Sequence, residues 1–362
     1  MIRFIAKYRH MITALAAILM LGGMIYFGVK MNRLKDVHVV KGSYAGSAMG
    51  TVVKKSIYTN NTFQGEQVNK RIDDCLEKLE GKISVRLTDS EISKCNANYA
   101  VDDVFPISSD ILEYLRQEIQ ISEETKGAYS PCIRPLADLW GIEDGSTRIP
   151  DEDVIKKTLE AVNAENMEIV DNGVILHAEN MSIDFGASGK GIACDEAAKV
   201  LMDSDIQGAV ISIGGSILVY GDKGDGRKWH VGVQDPRAPE GEVLGIIEVE
   251  GGKVVSTSGD YEKYFEQDGK RYHHILDPAT GYPADSSLIS VTIISDSGFL
   301  SDALSTACFV MGLEDGMAYA EEKGAEAVFI TAGKEVYVTS GIKEQFQLRV
   351  DGYDLANESR ME

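Results

Sequence analysis

The chain has 362 residues, 44% of them hydrophobic, and carries 36 Lys or Arg against 57 Asp or Glu, a formal net charge of −21 at pH 7. This is the composition of a globular protein that is long enough to bury a sizeable core. Because nucleic-acid backbone is held by clustered positive charge, the acidic balance argues against a DNA or RNA partner.

The first forty residues differ from the rest. Residues 11–29, MITALAAILMLGGMIYFGV, are uncharged and mostly apolar, and Arg3, Lys7 and Arg9 precede them. A helix of this length matches a bilayer core, and the layout is that of a signal sequence without an A-x-A cleavage site. We therefore predict a basic N-terminus at 1–10, a single-pass transmembrane anchor or uncleaved signal at 11–29, a polar linker at 30–48 and an extracytoplasmic domain. A buried core helix is the alternative interpretation of 11–29.

The cysteines are scattered and odd in number: Cys75, Cys95, Cys132, Cys194 and Cys308. None forms a C-x-x-C pair, so the spacing predicts neither a zinc site nor an obvious disulfide framework.

The first half of the soluble part is predicted to be mainly helical. A strand-like segment at 49–60 is followed by helical spacing at 66–80 and 108–126, with an N-cap at Ser108 to Asp110. A further helix is expected at 151–164, after Pro150.

From residue 168 onward, short apolar strands dominate. GAVISIGGSILVYG predicts two adjacent strands, and VLGIIEVEGGKVVSTSG predicts a hairpin around Gly251-Gly252. CDEAAKVLMDSD and EDGMAYAEEKG are helical. The mixture predicts an α+β fold of mixed, mostly antiparallel sheets with packed helices.

Four polar clusters lie at strand or helix ends: IDFGASGKG (183–191), STSGDYEKYF (256–265), HHILDPATGYP (273–283) and SDALSTACFVMG (301–312). Small residues let a backbone approach a ligand closely, and Lys190 could meet a phosphate, although the loop is not a Walker motif. Each of the first three clusters taken alone is at least as consistent with an ordinary turn. Consecutive histidines on a strand point to opposite faces, so at most one is expected to face a site.

Asp302 and Thr306 lie four residues apart in a helix of apolar residues, which puts both oxygens on one face. A carboxylate with a hydroxyl is a hard-oxygen pair suited to Mg²⁺. The alternative is structural, with an aspartate favoured by the helix dipole and a threonine bonded back to its helix.

In their order along the chain, these clusters resemble a known family. MGT, GAYSPCIRPLADLWG, IDFGASGKG, ISIGGSI, WHVGVQDP, STSGDY, HHILDPATGYP and the helix at 301–312 are similar to the signature blocks of ApbE-type FAD:protein FMN transferases. The resemblance spans about residues 49–340 and implies an ApbE-like FAD- and Mg²⁺-dependent catalytic domain, which we place at 49–345, followed by a polar tail at 346–362.

The resemblance implies roles for particular residues. Mg²⁺ would be held by the carbonyl of Ala187 and the side chains of Asp302 and Thr306, with Ser305 as a further candidate. His274 would be the general base and Lys190 would hold a phosphate. The other positions that match FAD contacts are Met49, Arg86, Ala128, Tyr129, Ser130, Asp184 and Leu276.

The implied reaction is Mg²⁺-dependent transfer of FMN from FAD to a Ser or Thr hydroxyl of a target flavoprotein, with release of AMP. Family targets are flavin-carrying subunits of membrane redox pumps and related extracytoplasmic reductases. The chain departs from the family pattern at Arg86, where an aromatic is common, and at Ser130, Gly189 and Ile192. Three rivals stay open: a metal-dependent FAD pyrophosphatase, a non-catalytic surface flavin-binding protein, and an anchored structural or adhesion domain.

Overall fold

The structure is a computed structural model that describes residues 39–356. Within that range the α-helices are α1 (Thr62–Ile83), α2 (Glu91–Asn98), α3 (Ser109–Glu124), α4 (Arg134–Trp140), α5 (Glu152–Leu159), α6 (Gly189–Met202), α7 (Gly298–Met311) and α8 (Leu313–Glu322). The strands are β1 (Val40–Ala48), β2 (Thr51–Thr59), β3 (Val104–Pro106), β4 (Met167–Val170), β5 (Gly173–Leu176), β6 (Gly208–Ile213), β7 (Ser216–Gly221), β8 (Trp229–Gln234), β9 (Val243–Val249), β10 (Lys253–Gly259), β11 (Tyr264–Gln267), β12 (Lys270–His273), β13 (Leu288–Ser295), β14 (Glu326–Thr331), β15 (Glu335–Val338), β16 (Phe346–Leu348) and β17 (Asp354–Leu355).

A nine-stranded sheet organises the fold, in the order β1-β2-β6-β7-β10-β13-β14-β15-β17. Its neighbours are antiparallel except for the parallel pair β15 and β17. Smaller sheets have the orders β16-β9-β8, β3-β5-β4 and β11-β12. The α+β class with mostly antiparallel sheets is therefore confirmed.

The large sheet is covered on both faces. Side chains of β2, β6 and β7 pack against α1 and α6 on one face, through Ile57, Ile211 and Ile72 among others. On the other face, Val219 and Val255 pack against the small sheet that carries Trp229. Every residue of β13 is buried, so the start of α7 directly after it lies in the interior.

The predicted helices form with local signals that the sequence carries. In α1 the buried residues Val68, Ile72, Leu76, Leu79 and Ile83 recur at helical spacing. Asn61 caps this helix by accepting a hydrogen bond from the Gln64 N–H at 2.9 Å.

Two predicted boundaries were wrong. Residues 40–48, expected as part of a linker, form the edge strand β1, which pairs with β2 over its full length. Residues 346–348 and 354–355, expected in a polar tail, form β16 and β17. These edge strands are held by main-chain hydrogen bonds and bury few side chains, so they carry little apolar periodicity.

The hairpin predicted around Gly251-Gly252 was also wrong, because β9 and β10 belong to different sheets. The Gly252 N–H donates to the Val219 carbonyl at 2.7 Å, and a side chain at Gly251 would overlap the backbone of Gly221. The turn therefore packs on the end of β7 and carries the chain from one sheet to the other.

No helix among residues 39–356 has the length and apolar character needed to cross a membrane. The anchor predicted at 11–29 lies outside the described residues.

Candidate active site

A cleft of about 340 Å³ lies where the β1–β2 turn, the loop before α4, the start of α6 and the segment after β12 meet. The predicted site residues that line it are Met49, Arg86, Ala128, Tyr129, Ser130, Asp184, Ala187, Lys190, His274, Leu276 and Thr306. The remaining two, Asp302 and Ser305, lie directly behind this surface on α7, so the structure brings all the predicted residues together.

Helices α6 and α7 touch through two glycines. A side chain at Gly191 would overlap the Gly298 carbonyl, and one at Gly298 would overlap the Gly191 carbonyl. Asp195, one turn further along α6, accepts hydrogen bonds from the N–H groups of Gly298 and Phe299 at 2.6 and 2.8 Å. This carboxylate caps the start of α7 and fixes it against α6.

The contact places Asp302 at the start of α6. Asp302 is 3% exposed, and its Oδ2 accepts a hydrogen bond from the Gly191 N–H at 2.9 Å. Its Oδ1 has only distant partners, the Ser216 hydroxyl at 3.3 Å and the Lys190 ammonium at 3.8 Å. One oxygen of this carboxylate is therefore fixed, and the other is weakly held beside the cleft.

The same hydrogen bond caps α6, which begins at Gly189 with Ser188 as its N-cap. The first N–H groups of a helix have no acceptor within the helix, and Gly191 carries one of them. Asp302 accepts from this N–H, while the next N–H, of Ile192, makes a regular helical bond to the Ser188 carbonyl. The Ala187 carbonyl precedes the N-cap and so lies outside the hydrogen-bond ladder of α6, at the position where the resemblance implies a metal ligand.

Three hydroxyl groups lie close together where α7 meets the end of β10. Ser258, at the end of β10, lies 3.1 Å from the Thr306 hydroxyl and 2.7 Å from that of Ser305. Ser305 also donates to the Asp302 carbonyl at 2.7 Å. Thr306 faces the cleft, whereas Ser305 is fully buried, so Thr306 is the better placed of the two as a ligand.

The charge of Lys190 is fixed by its surroundings. The nearby Asp302 carboxylate raises the pKa of Lys190, against the opposing effect of burial. Its ammonium makes only a long hydrogen bond to the Gly186 carbonyl, at 3.4 Å. Lys190 therefore stays protonated at neutral pH and can bind an anion in the cleft.

The tip of the β1–β2 hairpin forms one rim of the cleft. Met49 and Gly50 both have positive φ, of 55° and 67°, as the two central residues of a type I′ turn require. A non-glycine residue in this conformation is strained. The turn places Met49 against Gly189, where an added Cβ would lie 3.3 Å from the Met49 methyl group.

A buried carboxylate ties two walls of the cleft together. Glu118 on α3 is fully buried and accepts hydrogen bonds from the hydroxyls of Tyr129 and Ser188. Burial raises the pKa of Glu118 to about 7, although both hydrogen bonds oppose the shift.

Ser130 plays a structural part, since its hydroxyl donates to the Val162 carbonyl at 2.6 Å.

Asp184 is oriented from two sides. Its Oδ1 accepts from the Gly186 N–H at 2.7 Å, and Arg134 lies 3.5 Å from Oδ2. Burial raises the pKa of Asp184, and the Arg134 guanidinium opposes that shift. Arg134 itself lines the cleft.

Only one of the tandem histidines faces the cleft, as predicted. His273 is buried against Phe309 and bonds to the Ala284 carbonyl. His274 lines the cleft, and its Nδ1 lies 3.3 Å from the Lys263 carbonyl. Because a carbonyl can only accept, Nδ1 carries the hydrogen and Nε2 is left as the acceptor nitrogen. Burial lowers the pKa of His274 to about 4, so the ring is neutral at physiological pH.

Arg86 pairs with Glu143 across the cleft. The guanidinium donates to Glu143 at 3.1 Å, and the ammonium of Lys263 donates to the other carboxylate oxygen at 3.0 Å. Burial acts to raise the pKa of Glu143, but the positive charges of Lys263 and Arg86 hold it below its usual value.

The charges along the cleft balance. Four basic side chains line it, Arg86, Arg134, Lys190 and Lys263, and four acidic ones, Glu80, Glu143, Asp184 and Glu262. Asp302 adds a further negative charge behind them. A diphosphate would leave the site with an excess of negative charge, which a divalent cation would offset.

The residues present fit Mg²⁺. Asp302, Thr306 and the Ala187 carbonyl offer hard oxygens. Thr306 and Ala187 line the cleft, and Oδ1 of Asp302 has only the partners at 3.3 and 3.8 Å described above. No group of three or more His, Cys, Asp or Glu side chains among residues 39–356 is placed to hold a metal. The predicted Mg²⁺ ligands are one carboxylate, one hydroxyl and one main-chain carbonyl, so they do not form such a group.

Several cleft residues were missed from sequence. Arg134, Trp140 and Glu143 line the cleft. Arg134 and Trp140 belong to α4 and to the quoted block GAYSPCIRPLADLWG but were given no role, and Glu143 lies just beyond that block, where no motif marked it. Ser258 lies in the STSGDY cluster that the sequence singled out, yet its contact with Thr306 depends on the pairing of β10 with β13 and could not be read locally.

Comparison with known proteins agrees with this geometry. The model of the ApbE family matches residues 49–329. A FAD:protein FMN transferase of Vibrio cholerae serotype O1 is 30% identical over 341 residues, which cover 92% of this chain and 98% of that protein. One from Treponema pallidum is 30% identical over 325 residues, covering 84% and 89%.

Solved structures are similar as well. The flavin transferase ApbE from Vibrio cholerae superposes with a TM-score of 0.76 at 28% identity, covering 85% of this chain and 99% of that one. The apo flavinyl transferase ApbE of Pseudomonas stutzeri gives a TM-score of 0.75 at 28% identity, covering 86% and 98%.

Proposed function

Since the chain belongs to the ApbE family and is a FAD:protein FMN transferase, we propose that it uses Mg²⁺, modifies a Ser or Thr hydroxyl and releases AMP. The observation that carries this proposal is the convergence of Asp302, Thr306, Lys190 and His274 on one cleft.

The proposed step is a phosphoryl transfer. The acceptor oxygen forms a bond to the FMN-side phosphorus of FAD, and the bond from that phosphorus to the bridging oxygen breaks. The bridging oxygen leaves with AMP, and the hydroxyl proton passes to Nε2 of His274. Such reactions depend mainly on positioning and on stabilising the negative charge that develops.

The side chains divide this work. Lys190 binds the diphosphate through its protonated ammonium. His274 is neutral, and its Nδ1–H bond to the Lys263 carbonyl leaves Nε2 to accept the proton. Met49, Ala128, Tyr129, Asp184 and Leu276 form the walls that hold FAD.

Asp302, Thr306 and the Ala187 carbonyl are the proposed Mg²⁺ ligands, with Ser305 supporting the same turn from behind. When bound, the ion would neutralise charge on the diphosphate.

We also propose the location and the partners. The apolar run 11–29 would anchor the chain in the membrane with the catalytic domain on the extracytoplasmic side. The targets would be flavin-carrying subunits of redox pumps and related extracytoplasmic reductases. These proposals rest on the composition of the first forty residues and on the family resemblance.

The test is incubation of the full chain with FAD, Mg²⁺ and a candidate flavoprotein, followed by intact-mass measurement of that protein and quantification of AMP. We expect one FMN per target, AMP in equal amount, and loss of both after chelation with EDTA. Free FMN without modified target would instead indicate a pyrophosphatase, and turnover that is indifferent to EDTA would refute the metal requirement.

A further inference from the structure

Glu143 joins two cationic side chains that come from distant parts of the chain. Its Oε2 accepts from Arg86 at 3.1 Å and its Oε1 from Lys263 at 3.0 Å. Arg86 belongs to the loop after α1, Glu143 to the short 3₁₀ helix Ile142–Asp144, and Lys263 to the turn between β10 and β11. All three line the cleft, so this carboxylate bridges its walls.

The contacts continue to the proposed base. The main-chain carbonyl of Lys263 accepts from the His274 backbone N–H at 3.1 Å, and Nδ1 of the His274 ring lies 3.3 Å from it. Lys263 therefore contacts Glu143 through its side chain and His274 through its backbone carbonyl. An unbroken series of contacts runs from Arg86 through Glu143 and Lys263 to His274.

We propose that Glu143 is a positioning residue that sets Arg86 against the flavin ring and fixes the Lys263 turn that orients His274. This inference rests on the proposed function, in which Arg86 is the flavin contact and His274 takes the proton. A guanidinium held by a carboxylate in one plane can stack on a flat aromatic ring.

A purely structural role for Glu143 is a poor explanation. The side chains of Glu143, Lys263 and Arg86 are 36%, 43% and 53% exposed, and ion pairs this exposed add little to folding stability. Removing the bridge should therefore leave the fold intact while freeing two side chains in the cleft. A single Glu143 variant can then show a change in FAD binding or catalysis without a change in folding stability.

The first experiment compares Glu143→Gln, which keeps the shape and removes the charge, with Glu266→Gln as a matched control. Glu266 lies on β11, is also exposed and pairs with Arg271 at 3.0 Å, outside the cleft. FAD affinity is measured by quenching of flavin fluorescence, and kcat and KM by transfer to a target. We expect Glu143→Gln to weaken FAD binding about three- to tenfold and to lower kcat, and Glu266→Gln to change either by less than about twofold.

A double-mutant cycle then tests the coupling. Arg86→Ala should weaken FAD binding in the wild-type protein. In the Glu143→Gln background it should weaken FAD binding by less than about a further twofold, because Arg86 has already lost the carboxylate that orients it. Glu143→Asp, which keeps the charge, should recover part of the affinity.

Unchanged FAD affinity in Glu143→Gln, or additive effects of the two substitutions, would overturn the inference. The fluorescence measurement needs no acceptor protein. Failure of the proposed transfer chemistry would appear instead as intact FAD binding without a modified target in the wild-type protein.

Discussion

The backbone N–H of Gly191 donates a hydrogen bond to Oδ2 of Asp302 at 2.9 Å. This bond joins the first turn of α6 to α7 and satisfies an N–H that has no acceptor within its own helix. A single contact thus orients the carboxylate that we propose as a metal ligand, next to the loop that carries the Ala187 carbonyl. The close approach of the two helices requires that position 191 carry no side chain.

Gly191→Ala should destabilise the protein by about 1–3 kcal/mol, as overpacked cores do, because the new methyl group would overlap the Gly298 carbonyl. Thermal unfolding followed by circular dichroism measures this. The control is Gly81→Ala in α1, where nothing lies within 4 Å of an added Cβ. That variant should be stabilised by up to about 1 kcal/mol. Equal melting temperatures for the two variants would refute the close helix contact.

Thr306→Val removes the hydroxyl and keeps the shape of the side chain. We expect the Mg²⁺ concentration needed for half-maximal activity to rise by about tenfold or more, in line with losses seen when metal-site groups are removed. Thr306→Ser retains the hydroxyl and should stay close to wild type. A Mg²⁺ titration of activity distinguishes them, and identical curves for the valine and serine variants would show that the hydroxyl holds no metal.

The pH dependence of kcat/KM should reflect a histidine with a lowered pKa. Burial lowers the pKa of His274 to about 4, although Glu143 opposes the shift. Below that pKa the ring is protonated and cannot take the proton of the target hydroxyl. Activity should therefore be nearly constant from about pH 8 to pH 5 and fall below that, and His274→Gln should lower kcat by about a hundredfold or more.

The control for that profile is His230→Gln, an exposed residue on β8 outside the cleft, which should leave the profile unchanged. An acid limb near the ordinary histidine pKa in the wild-type protein would contradict the assignment, as would full activity of His274→Gln.

Glu118 should make folding stability depend on pH. Its pKa is about 7 in the folded state against 4.5 for the free side chain, so between these values the folded protein binds more protons than the unfolded chain. Stability therefore falls as pH rises through this window, by about 3 kcal/mol in total from this group. Glu118→Gln removes the titration.

Urea unfolding at pH 4.5 and at pH 8 measures the effect. The difference in unfolding free energy between the two pH values should be smaller for Glu118→Gln than for wild type. Parallel pH dependence in both proteins would mean that Glu118 is ionised in the fold.

The sequence predicted the fold class and the helices because their signals are local. The buried positions of α1 repeat at helical spacing, and the two strands around Gly214-Gly215 pair with each other as adjacent apolar runs predict. The β9–β10 turn looked similar, but the two strands belong to different sheets. That difference is decided by the backbone packing of Gly251 on Gly221, which no local pattern encodes.

The site residues that lie in sequence motifs could be predicted, whereas isolated side chains that contact them in the fold could not. Asp302, Thr306, Lys190 and His274 lie in the quoted clusters, and the structure brings them to one cleft. Glu143 meets Arg86 and Lys263 across 57 and 120 residues of sequence. Glu118 is a glutamate in an otherwise amphipathic helix, and only the fold shows that its carboxylate is buried between Tyr129 and Ser188.

The most direct measurement of the central claim is the intact mass of a candidate flavoprotein co-expressed with wild-type chain or with Asp302→Asn. Asparagine keeps the size of the side chain and can still accept from the Gly191 N–H, but it lacks the charge that would hold Mg²⁺. We predict one covalently bound FMN per target with the wild-type chain and none with the variant, provided that circular dichroism shows the variant folded. Full modification of the target by folded Asp302→Asn would contradict the account.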